Sequence, residues 1–149
     1  MALDGTHTKS DQNRKVEALR KDCRYWQSTL RFMEDEMKFI NQLLTSYVFE
    51  PNTPNLFERL QDYLERLKKA QDQKGKVKDL IVKYQSGLGG MLECTDDNCD
   101  FSYYQKHDRL KAEVVQCTED FQLLKGEIFN YAGGILKMNK TASSNDGQD

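Results

Sequence analysis

Apolar residues recur through the first third of the chain at alternating intervals of three and four: Val16, Leu19, Cys23, Trp26, Leu30, Met33, Met37, Ile40, Leu44 and Tyr47. That spacing keeps one face of an α-helix turned toward a partner, so these residues occupy the a and d positions of an unbroken heptad. Ser10 stands where an N-cap would, and Pro51 is placed to stop the helix. After the segment "EPNTPN", Thr53 as N-cap with Pro54 at the first helical position predicts a second helix. Its seam reads Leu60, Tyr63, Leu67, Ala70, Lys74, Val77, Ile81, Tyr84 and Leu88. Lys74 at a seam position followed by Gly75 weakens the middle. The phase nevertheless carries through, so a continuous helix is expected, with a break at Gly75 and four helices as the alternative.

The stretch "GLGGMLECTDDNCD" closes the second helix, and Asp100 is the expected cap of a third, whose seam is His107, Leu110, Val114, Cys117, Phe121, Leu124, Ile128, Tyr131, Ile135 and Met138. The expected fold is all-α, an antiparallel bundle of three long coiled-coil-like helices near 10–49, 54–86 and 100–140. Residues 1–9 are expected to form a flexible N-terminus, 10–140 a single bundle domain and 141–149 a disordered tail.

Composition narrows the function classes. The 149 residues carry a net charge of −2, which argues against general affinity for nucleic acid or anionic lipid. No apolar run reaches the roughly 18 residues of a membrane span, and "MALDGTHTKS" has no basic-then-apolar leader pattern, so a cytoplasmic location is the expectation. In that setting the four cysteines, Cys23, Cys94, Cys99 and Cys117, are expected as thiols.

Chemistry-bearing patterns are few. Carboxylate metal centres in helical bundles need inward Glu or Asp with Glu-x-x-His spacing, and none of the three seams holds a carboxylate. Nucleophile-elbow, phosphate-loop and dinucleotide motifs are absent, so a non-enzymatic protein is expected. One metal-capable cluster stands out: Cys94 and Cys99 enclose "TDDN", and His107 follows one to two turns into the next helix. Two thiolates and an imidazole suit zinc, although a fourth ligand would have to come from a nearby carboxylate or a second subunit. The same thiols could be a redox pair, or incidental residues of an acidic loop. Helix 2 carries Arg66, Lys68, Lys69, Lys74, Lys76, Lys78 and Lys83 against Glu65, Asp72 and Asp79. With no aromatic residues interleaved for base stacking, that face reads as solvated rather than as a nucleic-acid surface.

A second apolar pattern lies outside the seams. Ala18, Tyr25, Phe32 and Phe39 repeat every seven residues at position c of the first helix, roughly 130° from the centre of its a/d face. The third helix adds Leu123, Phe129 and Leu136, with Gly126 and Gly133 sharing position f. A helix apolar on two faces must bury both or present one to a partner. Either one monomer covers this outer stripe by broadening its own helix contacts, or Tyr25, Phe32, Phe39, Leu123, Gly126, Phe129, Gly133 and Leu136 form an interaction surface, for a homodimer or a helical protein partner.

Overall fold

The computed structural model describes residues 8–46 and 55–146, with side chains placed as far as residue 137. Three helices make up these residues: α1 Lys9–Leu44, α2 Leu56–Gly87 and α3 Asp97–Asp146, with a short 3-10 helix, Leu88–Glu93, leading from α2 into the turn before α3. The fold class is all-α, as the periodicity predicts.

Helix ends differ from expectation for local reasons. Thr8, not Ser10, caps α1: its hydroxyl accepts the Asp11 amide at 3.0 Å, and the return bond from Thr8 holds the Asp11 carboxyl below its ordinary pKa. At the other end α1 stops at Leu44, short of Pro51, because the Thr45 and Ser46 hydroxyls donate to the carbonyls of Asn41, Gln42 and Leu43. Asn55 precedes α2 with φ 60°, a left-handed conformation that asparagine tolerates, and its carbonyl accepts the first helical bond from the Arg59 amide. Thr53 and Pro54, expected to open this helix, lie outside the described residues, as does Tyr47. Asp96, not Asp100, caps α3 by accepting the Cys99 amide at 2.8 Å. Helix α3 then continues to Asp146 rather than fraying at residue 141, since "TASSND" contains neither proline nor glycine. Through Gly75 α2 is continuous, so the four-helix alternative does not occur.

Contacts divide the chain into two compact units built from the same three helices: Met1–Met33 with Gln73–Thr118, and Glu34–Asp72 with Glu119–Asp149. In the first unit, Val16, Leu19, Cys23, Trp26 and Leu30 of α1 are buried, as are Val77 and Ile81 of α2 and Leu110, Val114 and Cys117 of α3. Leu88 and Met91 of the 3-10 helix complete this core. Gln12 and Lys15 of α1 meet Asp100, and Asp22 further along meets His107, so α1 and α3 run parallel here. Gln12 reaches Met91 of the 3-10 helix while Gln27 reaches Gln85 of α2, so the chain running from α2 into the 3-10 helix opposes α1.

The second unit buries Met37, Ile40 and Leu44 of α1, Leu56, Tyr63 and Leu67 of α2, and Phe121, Leu124, Ile128, Ala132 and Ile135 of α3. Its flanks are tied by Lys125 to Glu36 and by Arg66 to Glu127, the latter at 2.6 Å. The Arg66 bond holds the Glu127 carboxyl below its ordinary pKa. Every placed seam residue of α1 is buried, while α2 leaves Leu60, Ala70, Lys74 and Tyr84 half-buried.

Candidate association surface and the disulfide turn

The heptad that buries one face of α1 dictates where its c positions go, and they go to solvent. Tyr25 and Phe32 in the first unit, and Phe39, Leu123, Phe129 and Leu136 in the second, retain between 41% and 71% of their exposure. The monomer therefore does not cover the outer stripe. One contact relieves it in the second unit: the Phe39 and Phe129 rings pack edge to face at 6.3 Å, joining α1 to α3 just outside the Glu36–Lys125 pair. Gly126 and Gly133 are exposed, and a Cβ added at either would meet nothing within 4 Å. On α3, Gly126 and Gly133 thus leave bare backbone between the exposed side chains of Leu123, Phe129 and Leu136.

The proposed metal ligands are not brought together. Cys94 and Cys99 are joined in a disulfide, with Cα atoms 5.5 Å apart, which corrects the expectation of free thiols at these two positions and removes both sulfurs as zinc ligands. Asp96 explains the closure: by capping α3 it folds "TDDN" into a tight turn that returns Cys99 to Cys94. His107 instead occupies the core of the first unit. Its Nε2 lies 3.0 Å from an Asp22 carboxylate oxygen, and its ring packs against Trp26 at 4.8 Å and Tyr84 at 5.9 Å. Among the described residues no group of three or more His, Cys, Asp or Glu is arranged to hold a metal ion. Cys23 and Cys117 are buried thiols, and desolvation pushes the Cys23 thiol up to about 11.

A polar cluster that the heptad pattern did not reveal lies beside the disulfide turn. Asp100, buried in the first turn of α3, accepts from the Gln12 amide at 2.9 Å and from the Lys15 ammonium at 2.8 Å, and Gln12 also donates to the Met91 carbonyl at 2.8 Å. The bond to Asp100 raises the Lys15 pKa. Gln12 at one heptad step before Leu19 was the available signal, a polar residue on the apolar face of α1.

No family model, curated protein or solved structure matches this chain. Within the described residues no helix is long and apolar enough to cross a membrane.

Proposed function

We propose that this chain is a non-enzymatic helical interaction protein that self-associates through the outer apolar stripe of α1 and α3. The observation that carries the reading is the exposure of large aromatic and aliphatic side chains in regular rows, on helices whose other faces already have a core. A second copy is the occupant that fits best. The α3 row presents its own complement, since Leu123, Phe129 and Leu136 on one copy match the notches at Gly126 and Gly133 on another. A two-fold axis lets each copy offer both features at once. Such a contact is apolar at its centre with charges at its rim, so it tolerates salt and fails when a charge is placed in the middle. The test is Leu123→Glu, which changes an exposed side chain and spares the seam. Lysine-directed cross-linking is expected to give dimers with wild type and monomers with the variant, and equal yields from both would refute the reading.

A second reading rests on the Cys94–Cys99 disulfide. A dithiol reductant would take this bond to two thiols, with transfer of two electrons and two protons, and open the turn that leads into α3. In that reading the protein responds to redox state rather than to metal. Its mark is a change in cross-linking yield between reduced and oxidised wild type, with no such change in a Cys94→Ser/Cys99→Ser variant.

A further inference from the structure

In the second unit the flank between α2 and α3 is closed by Arg66 and Glu127, which occupy equivalent g positions of their heptads. Two heptads along each helix, in opposite directions, the same positions are Leu80 and Glu113, and one heptad further they are Gly87 and Lys106. Neither combination can form an ion pair across the flank, because leucine and glycine have no charge to offer. A groove of about 510 Å³ opens in the first unit at these residues, and all four line it.

The walls are fixed by packing. The Tyr84 hydroxyl donates to the Tyr103 carbonyl at 3.2 Å, which ties α2 to α3 across the base of the groove. Gly90 makes room for Tyr103, since a Cβ there would lie 2.6 Å from the phenol oxygen. Gly87 leaves one end open: its φ of −85° is available to any residue, and a Cβ would meet nothing within 4 Å. The apolar part of the lining is Leu80, Tyr84 and Leu110. The rim carries Lys83, Lys106 and Arg109 against the single carboxylate of Glu113. Lys106 lies 6.0 Å from the Tyr103 ring, and none of the three cations has an ion-pair partner among the described residues.

We propose that this groove binds a small amphipathic anion, an apolar body resting on Leu80, Tyr84 and Leu110 with one carboxylate held by Lys106 and Arg109. The size falls within the range of about 300 to 1,000 Å³ found for small-molecule sites. The excess of cations over carboxylates, in a chain whose net charge is −2, selects an anion over a neutral or cationic body. Lys83, one member of the basic face of α2, has its place here rather than on nucleic acid.

The probe is decanoate below its micellar concentration, titrated into the full chain by isothermal calorimetry. Decanol and decylammonium serve as controls of matched length. Wild type is expected to bind one decanoate per chain saturably, with decanol and decylammonium at least tenfold weaker. Lys106→Glu/Arg109→Glu, which reverses two exposed charges, is expected to weaken decanoate at least tenfold, and Gly87→Trp, which places an indole at the open end, to do the same. Circular dichroism checks that each variant is folded. If Gly87→Trp fails that check, the charge-reversal variant carries the test. Lys68→Glu, an exposed position outside both the groove and the apolar stripe, should leave decanoate binding unchanged. Absence of saturable decanoate binding, equal affinity for decylammonium, or indifference to Lys106→Glu/Arg109→Glu in a folded protein would overturn the proposal.

Discussion

The bond between Lys15 and Asp100 is the sharpest place to test how the first unit is held. Asp100 keeps only 5% of its side-chain exposure, so its carboxylate depends on donors within the protein, Gln12 and Lys15 among them. Lys15 keeps 29%, so part of its attraction to Asp100 is screened by water. The pair therefore falls between an exposed bridge, worth about 0 to 1 kcal/mol, and a fully buried one, whose breaking costs about 3 to 5 kcal/mol. Lys15→Met leaves a buried carboxylate with one donor fewer and is expected to cost about 2 to 3 kcal/mol. Asp100→Leu removes the acceptor, but the flexible lysine recovers water and Gln12 keeps the Met91 carbonyl, so about 1 to 2 kcal/mol is expected. The double variant should cost less than the sum, giving a coupling of about 1 to 3 kcal/mol. Urea unfolding of the four proteins, followed by circular dichroism at pH 8, measures it. The Lys15 pKa is raised above 10.5, so this stabilisation is present below pH 10.5 and is lost as pH rises through the folded-state value. A coupling under about 0.5 kcal/mol at pH 8, within the scatter of independent sites, would show that Lys15 and Asp100 do not stabilise each other.

Three further outcomes follow from the same contacts. Leu30→Ala, at a residue 3% exposed on α1, should cost roughly 2 to 5 kcal/mol, and a neutral result in urea unfolding would contradict its place in the core. Breaking the Cys94–Cys99 bond frees a short loop, so reductant or Cys94→Ser/Cys99→Ser should lower stability by about 2 kcal/mol; an unchanged urea midpoint would count against the bond. Burial raises the Cys23 thiol from 9.0 to about 11 and pushes the Tyr84 phenol up as well, so both favour the protonated form in the folded state. Their contribution is complete below pH 9 and is lost as pH rises through the folded values, about 1 to 2 kcal/mol for Cys23 by pH 10.5. The urea midpoint should therefore fall between pH 8 and pH 10.5, and Cys23→Ala should flatten the decline.

What could be read from residues alone followed from how each signal is encoded. Burial on a helix obeys a fixed period, so Val16 through Leu44, Val77, Ile81 and Leu110 through Ile128 were legible as core before any coordinates. That Tyr25, Phe32 and Phe39 share a second face of α1 was legible for the same reason, whereas their exposure was not, because the period alone leaves open whether a neighbouring helix covers that face. Helix ends were less legible, because several residues compete to cap. Thr8 and Ser10 are both competent, and the choice depends on the Asp11 amide meeting Thr8. The turn chemistry was ambiguous in principle: thiols five residues apart are compatible with zinc, with a disulfide or with neither, and only the turn capped by Asp96 decides it. The groove was hidden because it arises from what Leu80 and Gly87 fail to pair with, and that becomes visible only once α2 and α3 are set side by side.

Sedimentation equilibrium separates self-association through the outer stripe from a monomer. Wild type and Phe32→Glu are compared at matched micromolar concentrations in low and high salt, with circular dichroism as the control for folding. Phe32 keeps 67% of its exposure at position c of α1, so the charge disturbs the stripe and not the seam. Wild type is expected to sediment as two chains of 17.4 kDa at both salt concentrations, and folded Phe32→Glu as one. A wild-type mass of one chain across that range would contradict self-association.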